Sequence, residues 1–224
     1  MKNRLMIGLT IIGGATTVSL RTAISQVDRC CTTRPSIQDL PASRGGQDLI
    51  GKPMPPLRFD RWLNTEKDIA PDLNRSVVLY RWWTDTCPYC ARTLPAIEKL
   101  RTTYGPEGLK VVAVYHPKPP RNVTDKTVLA AASAIGYRGA IAIDADWAQL
   151  KRLWLSTGRR DATSVSFLVD RERVIRFVHP GVEYFPSEDP QEKQQDEDFR
   201  LLEKAIRALL RQPPPAATAP STAS

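Results

Sequence analysis

Residues 82–90 read WWTDTCPYC and lie where a strand pattern gives way to a helix pattern. The run that ends in this motif, SVVLYRWW at 76–83, is rich in β-branched and aromatic residues, which is typical of a buried strand. Apolar residues then recur at helical spacing until Gly105 and Pro106 end the pattern: Leu94, Ile97, Leu100 and Tyr104. The sequence therefore predicts a strand that leads directly into a helix over 88–104, with a C-x-x-C pair at the helix start.

The two cysteines of this motif have the spacing of a nucleophile and a resolving thiol. Pro88 suits the first helical position, so Cys87 is expected at the positive end of the helix dipole, which stabilises a thiolate and lowers its pKa. Cys90 follows one helical turn later, and its sulfur can reach back to Cys87. The pattern predicts that Cys87 attacks the disulfide of a partner and that Cys90 then breaks the mixed disulfide.

Two other interpretations of the pair are open. An exported chain can use the two cysteines as a buried structural disulfide. A structural zinc site needs four ligands, and the sequence contains no second C-x-x-C motif. Redox chemistry also explains why the pair stands between a strand and a helix, and we therefore predict a redox-active disulfide between Cys87 and Cys90.

Strand and helix patterns continue to alternate after this motif. The segment before the first strand is interpreted as irregular because it contains Pro53, Pro55 and Pro56. The acidic run at 183–198 is interpreted as a solvated loop. Alternating strands and helices predict an α/β fold, with a central mixed sheet and helices on both faces. The further strands are expected at 109–115, 140–143, 165–169 and 174–178, and the further helices at 124–135, 147–155 and 198–210.

The first 25 residues have the composition of an export signal. Lys2 and Arg4 precede an uncharged, largely apolar run at 5–20, and small residues at 23–25 suit a cleavage site. We expect residues 1–25 to act as a signal peptide or as an uncleaved N-terminal anchor, with the rest of the chain in the periplasm or otherwise exported.

The remaining ends are expected to lie outside the folded domain, which is predicted over 49–211. Residues 26–48 are polar and irregular and are interpreted as a linker, in which Cys30 and Cys31 could form an accessory or intermolecular disulfide. Residues 212–224 are Pro, Ala, Thr and Ser after a single Gln, so this tail is expected to be disordered.

Composition and charge exclude several classes of protein. Of the 224 residues, 42% are hydrophobic and 25% are charged, which excludes a polytopic membrane protein and a wholly disordered chain. The net charge of +8 is spread along the chain, without a stripe of alternating basic and aromatic residues, so no nucleic-acid partner is predicted.

Taken together, the motifs resemble the exported thioredoxin-like reductases of the TlpA/ResA type. The likeness is carried by WWTDTCPYC with Pro95 in the following helix, by LIGKPMP at 49–55 and by FLVD at 167–170, and it covers about 49–211. The resemblance implies a thioredoxin-like fold and an exported thiol-disulfide oxidoreductase without an organic cofactor or metal. Its partners would be the protein thiols or disulfides of periplasmic proteins, with a membrane electron donor as a further possibility.

The sequence departs from that family at three positions. Ser164 stands where the family has a cis-proline that faces the reactive cysteine, and its hydroxyl could be offered to the Cys87 thiolate or could merely fill space. Arg81 replaces the buried aspartate of thioredoxins, and Thr93 replaces the glutamate of related reductases. If Arg81 points under the site, its charge favours thiolates and makes the pair more oxidising; if it points outward, it has no such effect.

Three side chains near the cysteines are expected to shape the site or a substrate groove. Alternation along the strand should bury one of Trp82 and Trp83 and leave the other, taken to be Trp83, near the active site. Pro88 and Tyr89 lie between the cysteines themselves.

Two alternative functions remain. Thr84 and Cys87 have the T-x-x-C spacing of peroxiredoxins, in which Cys87 would attack a peroxide and Cys90 would resolve the sulfenic acid. His116 and His179 are expected to be surface groups at strand ends; if one of them approached the cysteines, a thiolate-rich copper carrier would be conceivable.

Overall fold

The computed structural model describes residues 40–42, 45–65, 73–157 and 160–213, and within them six strands and four α-helices follow one another. The strands are β1 (Arg61–Leu63), β2 (Val77–Trp83), β3 (Leu109–Tyr115), β4 (Ala140–Ile143), β5 (Ser166–Val169) and β6 (Ile175–His179). The helices are α1 (Pro88–Tyr104), α2 (Asp125–Ala134), α3 (Ala148–Leu150) and α4 (Lys193–Leu210).

The strands form one mixed sheet in the order β1-β4-β3-β2-β5-β6. Strand β2 pairs parallel with β3, and β3 pairs parallel with β4, whereas β1, β5 and β6 pair antiparallel with their neighbours. Strand β2 is therefore central, and every one of its seven residues is buried. The predicted α/β fold with a central mixed sheet is confirmed.

Alternation along β2 divides the core into two layers. Leu79 and Trp83 face a cluster that includes residues of α1, α2 and α4, while Val78 and Trp82 face a cluster built from the segment around 49–62 and residues 150–155. Helices and irregular chain thus cover both faces, which explains why the run at 76–83 is apolar almost without interruption.

Strand β1 was not predicted from the sequence. Its three residues pair antiparallel with β4 at the edge of the sheet, Trp62 opposite Ala142. So short a strand carries too few residues for an alternating pattern, and the prolines before it suggested irregular chain instead.

The expected solvated loop at 183–198 is wrong in its second half. Helix α4 begins at Lys193, five residues before the predicted start at 198. Glu183 and Asp198, at the two ends of the run, are both buried. The helix expected at 147–155 consists of α3 followed by a π-helical turn, Lys151–Leu155.

The predicted segments outside the domain fall mostly beyond the described residues. The predicted signal at 1–25, Cys30, Cys31 and the tail from 214 belong to that part of the chain. Within the predicted linker, Leu40 is buried in the core, and a 3-10 turn, Gln47–Leu49, spans the predicted boundary between linker and domain. No helix in the described ranges is long and apolar enough to cross a lipid bilayer.

Candidate active site

The C-x-x-C pair lies at the junction of β2 and α1, where the carboxyl end of the central strand turns into the helix. Pro88 is the first helical residue, and Cys87 caps the helix in an extended conformation. The Cys87 sulfur accepts a hydrogen bond from the Cys90 amide at 3.2 Å. Cys87 is partly exposed, whereas Cys90 is fully buried, so a partner can reach the first sulfur and not the second.

The surroundings of the two thiols separate their pKa values. The hydrogen bond from the Cys90 thiol is the main cause that lowers the pKa of Cys87 to about 5, and the Cys90 amide, the Ser164 hydroxyl and the Arg81 charge act in the same direction. The same bond to Cys87, together with burial, raises the pKa of Cys90. At neutral pH Cys87 is therefore the thiolate and Cys90 holds the proton.

Ser164 faces both sulfurs from the segment that precedes β5. Its Oγ lies 3.0 Å from the Cys90 Sγ and 3.8 Å from the Cys87 Sγ. The next residue, Val165, accepts a hydrogen bond from the Trp82 amide at 2.9 Å, which holds this segment against the end of β2.

The Arg81 side chain points under the active site and not outward to solvent. Its side chain is fully buried on the same face of β2 as Trp83, and its guanidinium donates to the Val182 carbonyl at 2.8 Å and to the Ser166 hydroxyl at 3.4 Å. The Tyr184 ring lies 5.3 Å from the guanidinium carbon. The Arg81 charge lowers the pKa of both Cys87 and Cys90, since a buried cation favours nearby thiolates.

The expectation that only one of the two tryptophans is buried is wrong. Trp82 and Trp83 are both fully buried, because both faces of β2 are covered. Trp83 packs edge-on against Tyr115, with ring centroids 5.0 Å apart, in the cluster that contains Cys90. Tyr89 is the aromatic residue that reaches the surface, with 51% of its area exposed, and Pro88 beside it is also exposed.

A polar clamp on the active-site loop was missed by sequence reasoning. Arg121 donates to both Asp85 carboxylate oxygens at 2.8 and 2.7 Å, and the Tyr115 hydroxyl donates to the same carboxylate at 3.1 Å. The Thr86 hydroxyl donates to the Lys118 carbonyl at 3.1 Å. These contacts fasten Asp85 and Thr86 to the end of β3 and the loop after it. The 36-residue separation of Arg121 from Asp85 leaves no local sequence signal.

The two histidines are not surface groups, contrary to expectation. His116 is fully buried, with its ring 5.2 Å from that of Trp147. His179 is buried between Asp198, at 3.2 Å, and the Tyr184 ring. Tertiary packing of the strand ends covers both side chains. Among the described residues, no group of three or more His, Cys, Asp or Glu side chains could hold a metal ion.

Comparison with solved structures agrees with this architecture. A protein from Bacteroides thetaiotaomicron is 19% identical, with a TM-score of 0.57, over 73% of this chain and 91% of the other. A thiol-disulfide isomerase from Corynebacterium glutamicum is 20% identical, with a TM-score of 0.52, over 72% of this chain and 97% of the other. At these identities the likeness shows the fold. The fold and the dithiol at the start of α1 define a thioredoxin-like protein.

Sequence comparison gives the family. Residues 50–194 match the Redoxin family, and the chain belongs to it. The protein DipZ from Mycobacterium bovis is 25% identical over 166 residues, which are 73% of this chain. The alignment spans only 21% of DipZ, about a fifth of its length.

Proposed function

We propose that this chain is an exported thiol-disulfide oxidoreductase that exchanges disulfides with partner proteins through Cys87 and Cys90. The observation that carries the proposal is the division of roles within the pair. Cys87 is partly exposed, with its pKa lowered to about 5, and Cys90 is buried and protonated one turn away. The proposal that the chain is exported rests on the signal-like composition of residues 1–25. The proposed partners are the thiols or disulfides of periplasmic proteins.

The exchange proceeds in two balanced steps. The Cys87 thiolate attacks one sulfur of the partner's disulfide; a Cys87–sulfur bond forms, the partner's disulfide breaks, and the released sulfur takes a proton from water. Cys90 then loses its proton and attacks the Cys87 sulfur. The Cys87–Cys90 bond forms, the bond to the partner breaks, and the proton from Cys90 ends on the departing sulfur. The reverse sequence donates a disulfide to a partner dithiol.

The electrostatics favour donation of disulfides. A thiolate at Cys87 stabilises the reduced form of the pair, because the oxidised form carries no charge there to be stabilised. Arg81 and the Cys90 amide both add to this stabilisation. We therefore propose that the protein acts as an oxidant of dithiols rather than as a reductant.

The peroxidase alternative has weaker support. Its threonine would have to direct a peroxide at Cys87, yet the Thr84 hydroxyl donates to the Asp85 carboxylate at 3.2 Å. The Cys87 sulfur instead accepts a hydrogen bond from the Cys90 amide at 3.2 Å and lies 3.8 Å from the Ser164 hydroxyl oxygen. For a copper carrier, the described residues offer two thiols without a third ligand.

Trapping of the mixed disulfide tests the proposal. A Cys90→Ser variant treated with oxidised glutathione is expected to accumulate one glutathione on Cys87, located by peptide mass mapping, since no resolving thiol remains. Under the same conditions the wild-type protein should pass through this adduct to the intramolecular disulfide. Absence of any adduct on Cys87 in the variant would contradict the proposal.

A further inference from the structure

The second step of the proposed exchange requires a buried thiol to become an anion. Cys90 is fully buried, and its pKa is raised by the bond to Cys87 and by burial. The groups that favour its thiolate are the Arg81 charge and the Ser164 hydroxyl. Arg81 supplies a charge from the buried side of the site, and the Ser164 hydroxyl is the group within hydrogen-bonding distance of the Cys90 sulfur, at 3.0 Å.

The Ser164 hydroxyl is placed to serve either sulfur. A serine hydroxyl carries one donor hydrogen that rotates freely about the Cβ–Oγ bond. The Ser164 oxygen lies within hydrogen-bonding range of both sulfurs, at 3.0 Å from Cys90 and 3.8 Å from Cys87. A proline at this position, as in the resembled family, would offer neither sulfur a donor.

The backbone around Ser164 holds the hydroxyl in this place. After Ser164, the Val165 carbonyl accepts a hydrogen bond from the Trp82 amide. Before it, the Gly181 backbone packs closely against Ala162: a Cβ added to Gly181 would lie 2.4 Å from the Ala162 Cβ. Ser164 itself is only 8% exposed. The backbone that carries the Ser164 side chain is therefore held in place and the residue is largely buried, while its O–H bond can turn about the Cβ–Oγ bond.

We infer that Ser164 is a positioning residue whose hydroxyl follows the negative charge from one cysteine to the other. In the reduced protein the hydroxyl donates to the Cys87 thiolate. Once Cys87 is bound in a mixed disulfide and is neutral, the hydroxyl turns and donates to the Cys90 thiolate, which it holds for attack on the Cys87 sulfur. This role rests on the proposed disulfide exchange and concerns its second step.

The Ser164→Ala variant separates the two steps. In rapid-mixing experiments with oxidised glutathione, resolution of the Cys87 adduct should slow on the order of tenfold, the loss of one hydrogen bond to a charged sulfur. Formation of the adduct should change less, because the Cys90 amide still stabilises the Cys87 thiolate. The pH profile of resolution should also move to higher pH, since the pKa of Cys90 loses one of its lowering causes.

Two further variants distinguish the hydroxyl from packing. Thr163→Ala removes a neighbouring hydroxyl that is equally buried, at 8% exposure, and should resolve at the wild-type rate. Ser164→Thr keeps the hydroxyl and should restore resolution and its pH profile. Wild-type resolution in Ser164→Ala, or a threonine variant as slow as the alanine variant, would overturn the inference. A Cys90→Ser variant that forms no Cys87 adduct would instead refute the exchange on which the inference rests.

Discussion

Cys87→Ser is expected to abolish disulfide exchange altogether. Cys90 is fully buried and its pKa is raised, so it cannot replace the lost thiolate. The rate of oxidation of a dithiol peptide by the oxidised protein should fall by roughly a thousandfold or more, to that of the buffer. Peptide oxidation followed by thiol alkylation and mass spectrometry measures the rate.

The two remaining cysteines provide a matched control. A Cys30→Ser and Cys31→Ser double variant also removes thiols, and its exchange rate should equal that of the wild-type protein. Substantial activity in Cys87→Ser, or loss of activity in the double variant alone, would contradict the assignment of Cys87 as nucleophile.

Arg81→Met is expected to raise the pKa of Cys87 and to make the pair less oxidising. In the wild-type protein the thiolate absorbance near 240 nm should titrate with a midpoint at about pH 5, the pKa of Cys87. Loss of the buried charge should raise this midpoint by about one unit. The redox potential should become more negative by about 30 mV, which corresponds to the same free energy.

Arg176→Met is the control for the loss of a buried arginine. Arg176 lies on β6 and pairs with Asp170 at 2.7 Å, and the largest causes of the pKa shifts of the two active-site cysteines do not include it. This variant should lose stability and keep the wild-type midpoint. An unchanged midpoint in Arg81→Met would show that the arginine does not tune the pair.

The lowered pKa of Cys87 also sets how stability depends on pH. The folded value is about 5 and the ordinary value is 9.0, so the unfolded chain binds more protons between them. The thiolate's contribution to the stability of the reduced protein is therefore complete above about pH 9 and is lost as the pH falls through 5. The oxidised protein has no Cys87 thiolate and lacks this dependence, so the stability of the reduced form relative to the oxidised form should rise as the pH increases from about 5 to 9.

Much of the fold follows from local patterns. The apolar run at 76–83 predicts the central strand, and the apolar spacing after Pro88 predicts α1, because each of these patterns lies within one element. The alternation of strands and helices along the chain then predicts the central sheet. Strand β1 and the first turn of α4 could not be predicted in this way. Trp62 is held by pairing with β4, and Lys193 lies inside an acidic run whose ends, Glu183 and Asp198, are both buried in the folded chain.

In the active site, too, local features could be predicted from the sequence and features set by tertiary contacts could not. The roles expected for Cys87 and Cys90 need only the helix start and one turn of separation, both readable in the motif. The orientation of Arg81 depends on the Val182 carbonyl and on Tyr184, about a hundred residues away, and sequence alone left it open. The burial of Trp83 and the clamp between Asp85 and Arg121 likewise depend on tertiary contacts.

Equilibration of the wild-type protein in glutathione buffers, read by alkylation and mass mapping of Cys87 and Cys90, tests the central claim most directly. The account predicts a reversible disulfide between these two residues, with a potential nearer the ~−120 mV of strong oxidants than the ~−270 mV of thioredoxin. A value near that of thioredoxin would contradict the proposed direction of electron flow. Failure to form any reversible Cys87–Cys90 disulfide would contradict the function itself.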